Sequence, residues 1–400
     1  MYQEDKENLI NIQTKKLPQL RHYQLLKKIG QGSYGKIYLS EDLKNNNLVA
    51  LKIIDKTFLE ILGKTEEAFI EQYMLIHLKN NNIINLKSCF QTKQKLIFVL
   101  DYFKNGNFQD YLNQIQTKNG ILSYETSKFY LAELLNILLF FQEKNIAHLD
   151  LKPANILLDE RLHLKIIDFA SAKIIGKKYD LKLKKFVKNS NNNNNKLNND
   201  DKKNKKNNYI NLIGTAEYVS PEMINGNIIN YKSCDIWSFG IIMYQLFHGY
   251  SPFKGQSDFE TLENIKKGKF IINEKLSYDV KDLIKKLLNY NQKERIGVND
   301  IKDIMNHNFF KGINFNNIFF EKVPENLKKS ISDNLFIEKK MSFHEELYTS
   351  TDDTENEIEN IINNFNIEQK ENNNKKLIFG DDFCIIKFEG IFFEDNYFML

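Results

Sequence analysis

The chain has 400 residues, 42% of them hydrophobic and 27% charged, with a formal net charge of +4; this is the make-up of a soluble globular protein with room for a sizeable core, and the charge is too small and too unevenly spread to argue for a nucleic-acid partner. The three cysteines, Cys89, Cys234 and Cys384, are too far apart for a readable disulfide framework and fit a reducing, cytoplasmic setting. The charged opening MYQEDKENLI lacks the apolar run of a signal peptide, and no apolar stretch reaches the ~18 residues a transmembrane helix needs.

Residues 1–22 read as a polar, flexible lead-in. From Tyr23 the pattern becomes strand-like. Leu25–Ile29, Lys36–Leu39 and Leu48–Ile54 are short runs with β-branched residues, divided by a glycine-rich turn and by Asn45-Asn46-Asn47. Residues 66–78 carry a helical pattern, and Leu96–Leu100 is a further strand. From Phe108 the helical period dominates. Tyr124–Gln142 is apolar on most of its surface, and Asp235–His248 is apolar nearly all round, as a helix at the centre of a large domain must be. Further helices are predicted over residues 258–266, 278–289 and 299–305. Residues 177–208 are Lys- and Asn-rich and predict a disordered insertion. Residues 313–376 predict a flexible polar tail, acidic around Glu355, Glu357 and Glu359. Residues 377–400 turn apolar again and predict a strand pair, Phe383–Glu389 and Ile391–Leu400.

The chemistry is carried by a short set of motifs. Gly30-Gln31-Gly32-Ser33-Tyr34-Gly35, with Ile29 before it, lies between two strands. Alone it could be a dinucleotide-binding turn or a hairpin with no ligand. A dinucleotide turn should open a helix, whereas Lys36-Ile37-Tyr38-Leu39 continues as strand. Glycines here let backbone amides approach phosphates. Val49-Ala50-Leu51-Lys52 and the helix bearing Glu71 follow. A strand lysine or a helix glutamate by itself is ordinarily a solvated surface residue. The strongest signal is His148-Leu149-Asp150-Leu151-Lys152-Pro153-Ala154-Asn155. Asp150 can accept a hydroxyl proton, Lys152 can neutralise charge on a phosphoryl group, and Asn155 can hold Mg²⁺. Asp168-Phe169-Ala170 follows an apolar strand, and Asp168 offers the carboxylate oxygen that a hard cation prefers. Ser220-Pro221-Glu222, Asp235-Ile236-Trp237 and Arg295 close the set, with Glu222 and Arg295 expected to form a buried pair.

In this order and spacing the motifs resemble those of a protein kinase catalytic domain over residues 23–312. More narrowly, Leu96–Gly106, Gly214-Thr215-Ala216-Glu217-Tyr218-Val219-Ser220-Pro221-Glu222 and His307-Asn308-Phe309-Phe310 resemble the AGC group and its phosphoinositide-dependent kinases. The resemblance implies an α+β, bilobal fold: a small antiparallel β lobe with one main helix, and a large, mainly helical lobe. It implies ATP and Mg²⁺ as cofactors and protein Ser/Thr hydroxyls as acceptors, with other AGC kinases among the candidate substrates. Lys52 and Glu71 would form the ion pair that holds the α- and β-phosphates. Adenine would bond the backbone of Asp101 and Phe103 and lie among Ile37, Ala50 and Leu157. His148, Phe169 and Leu75 would form an apolar stack. Two other classes stay open at this point: a pseudokinase scaffold, and a kinase of the calcium/calmodulin-dependent type.

Four departures from the family pattern stand out. Leu149 replaces the arginine of His-Arg-Asp, and Ala170 the glycine of Asp-Phe-Gly. Asn211 stands where the phosphorylated Ser or Thr is expected, and Ile70 where an arginine precedes the helix glutamate. Losing a phosphate site together with its cationic partners predicts activity without activation-loop phosphorylation. The loop would be anchored on Ile70, Leu149 and Leu212 or Ile213 instead. Lys56, Gln91 and Leu96 match the family's small-lobe docking pocket, whereas Glu60 and Gln72 do not. The C-terminal wording Phe393–Leu400 resembles one strand of a pleckstrin-homology domain, but about 24 residues cannot build one and its acidity does not support lipid binding.

Overall fold

The computed structural model describes residues 19–32, 34–117, 120–180, 185–188, 215–324 and 386–387. The described residues divide into two compact units, one of residues 19–65, 85–102 and 386–387, the other drawn from residues 66–84 and 103–324.

The first unit is a twisted antiparallel sheet. Its strands are β1 (Tyr23–Gln31), β2 (Gly35–Asp42), β3 (Asn47–Asp55), β4 (Leu86–Gln91) and β5 (Lys95–Asp101), in the order β1-β2-β3-β5-β4. The sequence Asn47-Leu48-Val49-Ala50-Leu51-Lys52-Ile53 explains the sheet's two faces, because successive side chains alternate. Val49, Leu51 and Ile53 enter one core with Tyr38, Phe90, Ile97 and Val99, flanked by Leu20, Tyr23 and Leu25. Ala50 and Lys52 therefore share the other face. The register puts Ile37 beside Lys52 and Leu39 beside Ala50, with Phe98 and Leu100 beside them on β5. Gly35 is required by close approach: a Cβ there would sit 2.6 Å from the Ile53 carbonyl oxygen. A short helix α1 (Lys56–Ile61) follows β3, its first turn capped by the Asp55 carboxylate, which accepts from Phe58 N–H. Residues 386–387 form a two-residue strand antiparallel to β4, at Cys89 and Ser88. The second strand expected near the C-terminus lies outside the described residues.

The second unit begins with helix α2 (Thr65–His77). Helices α3 (Phe108–Thr117) and α4 (Tyr124–Glu143) follow, then the short strands β6 (Ile146–Ala147), β7 (Ile156–Leu158), β8 (Leu164–Ile166), β9 (Lys173–Ile174), β10 (Lys177–Asp180) and β11 (Lys185–Lys188). Next come α5 (Tyr231–His248), α6 (Asp258–Lys267) and α7 (Tyr278–Leu287). Residues 233–247 of α5 are all buried, as its all-round apolarity predicts, and α4 and α7 pack on it. A Cβ on Gly240 would come within 2.9 Å of Leu287 and 2.8 Å of Leu288, so glycine sets how closely α5 and α7 approach. Glu222 and Arg295 form the expected buried bridge: two nitrogen–oxygen contacts at 2.6 and 3.1 Å, with Arg295 also donating to the Ser233 and Asn289 carbonyls.

Two boundary expectations are corrected. The insertion does not lose structure at residue 177, because β10 and β11 pair as an antiparallel ribbon with Tyr179 buried; residues 189–208 lie outside the described residues. Nor does the packed domain end at residue 312. Ile318 is fully buried, and the Phe319 ring lies 4.9 Å from His163 and beneath the Arg161 guanidinium at 4.7 Å.

Candidate active site

In the first unit, the glycine-rich turn and Lys52 come together. Gly32 N–H donates to the Gly35 carbonyl at 2.8 Å, closing the turn. A Cβ on Gly32 would lie 3.7 Å from Lys52 Cε, so the turn runs over the lysine stem. Gln31 accepts from Lys28 Nζ, Ile29 is largely exposed, and Gly30 pairs with Ile37 across the β1–β2 ladder. Ile37, Ala50 and Lys52 share the sheet face described above. Asp101 ends β5; its N–H donates to Asn85, and its carboxylate pairs with Lys87 at 2.8 Å. The Lys56 ammonium donates to Gln91 Oε1 and the Thr92 carbonyl.

In the second unit, the loop after β6 gathers Asp150, Lys152 and Asn155. Lys152 Nζ donates to both carboxylate oxygens of Asp150, at 3.0 and 2.9 Å, and Asn155 Nδ2 donates to Asp150 Oδ2 at 2.8 Å and to its carbonyl at 2.9 Å. Asp168 is brought to the same loop through backbone: Ile167 N–H donates to the Asn155 carbonyl, and the His148 ring bonds the Ile167 carbonyl at 3.2 Å. The rings of His148 and Phe169 lie 5.0 Å apart, and Leu75 on α2 is buried. Leu157, on β7, pairs with Lys165 and bridges to Asn107. Glu71 is buried on α2, and the Phe103 carbonyl accepts from Gly106 N–H.

Two of these loop residues hold left-handed backbone, Leu149 at φ 65° and Asp168 at φ 63°. Such conformations cost non-glycine residues about 1–3 kcal/mol each and persist only where the surroundings impose them. For Leu149 the imposing group is Asp235, a residue the sequence marked only as part of a motif. Its two carboxylate oxygens accept from His148 N–H at 2.7 Å and from Leu149 N–H at 2.8 Å. Burial pushes the Asp235 carboxyl up, and His148 and the two amides pull it partly back. Ala170, by contrast, takes a φ open to any L-residue, so alanine in place of glycine brings no strain there.

Leu149 itself is buried with Ala147 and Cys234, against Met223, Ile228 and Tyr231. Burial pushes the Cys234 thiol up to about 12, which leaves it an apolar packing group. Ile70 is not among these partners of Leu149, and the loop residues expected to meet them, Asn211, Leu212 and Ile213, lie outside the described residues.

A model of the protein kinase domain matches residues 23–310. The chain belongs to the protein kinase family. It is 30% identical over 310 residues to Serine/threonine-protein kinase PKH2 of Saccharomyces cerevisiae, covering 75% of this chain and 26% of the relative. It is 34% identical over 291 residues to 3-phosphoinositide-dependent protein kinase B of Dictyostelium discoideum, covering 73% and 29%. It is 31% identical over 306 residues to cAMP-dependent protein kinase type 3 of Saccharomyces cerevisiae, covering 76% and 67%. These are serine/threonine kinases of the AGC group, and they favour that group over a calcium/calmodulin-type kinase or a scaffold. The chain spans about a quarter to a half of the length of several curated relatives it matches. Among the described residues no helix is long and apolar enough to cross a membrane.

Proposed function

We propose that the chain transfers the γ-phosphoryl group of ATP to Ser or Thr hydroxyls of protein substrates. The observation that carries the reading is the Asp150–Lys152–Asn155 network, a mostly buried carboxylate fixed by three side-chain donor contacts. Asp150 would accept the substrate hydroxyl proton as oxygen attacks phosphorus, and a carboxylate already held in one rotamer need not be ordered in the transition state. Lys152 would offset charge on the transferred group. Lys52 and the amides of residues 30–35 would bind the phosphates, with Glu71 supporting Lys52 as in the family.

Among the described residues no three His, Cys, Asp or Glu side chains form a metal cluster. Asp168 and Asn155, brought to one loop by the Ile167 N–H bond to the Asn155 carbonyl, offer the oxygen ligands a hard cation prefers and would hold Mg²⁺, the rest of its shell coming from phosphate and water. When bound, the ion supplies charge neutralisation at the phosphates.

The likeness to phosphoinositide-dependent kinases supports other AGC kinases as substrates. The buried thiol of Cys234 suits a reducing, cytoplasmic setting. The test is phosphoryl transfer to an activation-loop peptide from an AGC kinase, with phosphoamino-acid analysis. Wild type should label Ser or Thr and Asp150→Asn should not; labelling of Tyr alone, or equal labelling by the variant, would overturn the assignment.

A further inference from the structure

Strand β9 pairs with β6, the strand that leads into His148, and the chain then turns at Gly176 (φ 79°) into the β10–β11 ribbon. The ribbon register sets Tyr179 opposite Phe186, and their rings meet edge to face at 5.1 Å. Both rings reach helix α2. Tyr179 stacks on Phe69 at 5.6 Å, Phe186 meets Tyr73 at 4.5 Å, and Tyr73 stacks on His77 at 4.0 Å. Tyr179 is only 7% exposed, while its neighbours Lys177 and Lys178 are exposed. A ribbon this short and this rich in lysine has no core of its own, so these rings are what fixes its place.

The geometry on α2 gives the contact a consequence. Phe69, Tyr73 and His77 recur every four residues and share one face of the helix. Glu71 lies two residues from both Phe69 and Tyr73 and so belongs to another face. Rings gripping one side of a helix fix its rotation about its own axis, and with it the direction of every other side.

We propose that the ribbon is a permanent aromatic clamp on α2, in which Tyr179 and Phe186 act as positioning residues for the Glu71 carboxylate and need no phosphorylated loop residue to do so. The inference rests on the kinase reading of the site. Two features agree with it. Leu149, where the family has a phosphate-reading arginine, is committed to an apolar cluster. Burial and Glu67 push the Glu66 carboxyl of the first α2 turn up, and Lys178 on the ribbon, with Lys173 before it, offsets part of that rise.

The experiment uses the full chain, phosphatase-treated, as wild type and as Tyr179→Ala, Phe186→Ala and Tyr179→Phe. Amide hydrogen exchange over residues 65–77 is measured beside kcat and the KM values, at a temperature where circular dichroism shows each variant folded. Each alanine variant should speed α2 exchange by roughly tenfold, equivalent to about 1.4 kcal/mol, with exchange in α5 unchanged. Each should also lower kcat about tenfold or more while the KM for protein substrate holds. Tyr179→Phe keeps the ring and should restore both. A ribbon that merely adds stability would lower the melting temperature yet leave α2 exchange and the kcat of the folded enzyme at wild-type values, and that result overturns the clamp. Should wild type itself show no turnover, the kinase reading fails, and the exchange data still decide the clamp.

Discussion

Replacing Leu149 by the family's arginine should damage this protein. The side chain is 7% exposed and packs on Ala147, Cys234, Met223, Ile228 and Tyr231. Burial of a leucine contributes about 1.5–3 kcal/mol, and truncation adds a cavity term, so Leu149→Ala should cost about 2–4 kcal/mol. Leu149→Arg keeps part of the apolar stem but brings a guanidinium among packing partners that, within the described residues, are apolar side chains and Tyr231. Both Asp235 oxygens already accept backbone N–H groups. The cation next to the cluster is Lys173, whose ammonium sits 4.7 Å over the Tyr231 ring. An uncompensated buried charge costs about 3–5 kcal/mol, a large share of the 5–15 kcal/mol typical of a domain. The assay is urea unfolding followed by fluorescence, comparing midpoints at equal m-value. Leu149→Arg should shift the midpoint down at least as far as Leu149→Ala. An arginine variant as stable as wild type would show that the pocket still accepts a cation, and the apolar account of this position would be wrong.

Four shorter predictions follow from the same geometry. Asp235→Asn can accept only one of the two amide protons and turns an NH₂ toward the other; about 2–4 kcal/mol of stability and most of kcat should be lost, read by melting and by turnover. Although burial pushes the Glu222 carboxyl up, the Arg295 bonds outweigh it and hold it below the ordinary value; its folded pKa is depressed, so the bridge's contribution is present above about pH 4.3 and fades as pH falls through the folded pKa. Glu222→Gln should therefore lower the melting temperature at pH 7 and flatten its decline between about pH 5 and 3. Gly35→Ala forces a Cβ against the Ile53 carbonyl and should raise the KM for ATP at least several-fold in steady-state assays. Deleting residues 189–208 should leave the fold and turnover close to wild type, because loop-closure entropy changes slowly with length; loss of folding, seen by circular dichroism, would count against it.

The sequence made the framework legible where one pattern decides. The alternation of Val49, Leu51 and Ile53 against Ala50 and Lys52 announces a strand with a core face and a second, chemically distinct face. The unbroken apolarity of α5 announces a central helix. The loop after β6 was readable because its spacing admits few other chemistries, and the structure brings Asp150, Lys152 and Asn155 into one hydrogen-bonded network. What stayed hidden depends on partners distant in sequence. Strand β4, Leu86-Lys87-Ser88-Cys89-Phe90-Gln91, has no clean alternation and is a strand because β5 pairs with it. In the ribbon, two aromatic residues are outnumbered by lysines, and composition averages them away; Phe69 and Tyr73 supply the surface they need. The motif marked Asp235 without saying what it holds, which is two amides of the loop after β6. Residues 313–324 read as tail because Ile318 and Phe319 stand among asparagines, and their pocket at His163 lies far back in the chain.

The central claim is that this chain is a working phosphotransferase built on Asp150, Asn155 and Asp168, and incorporation of labelled γ-phosphate from ATP into a generic Ser/Thr protein substrate tests it most directly. The wild-type chain should label the substrate, and Asp168→Asn, matched for folding by melting temperature, should fall by several powers of ten. Wild-type labelling no greater than that of Asp168→Asn on every generic substrate tried would contradict the claim and leave a kinase fold without the activity.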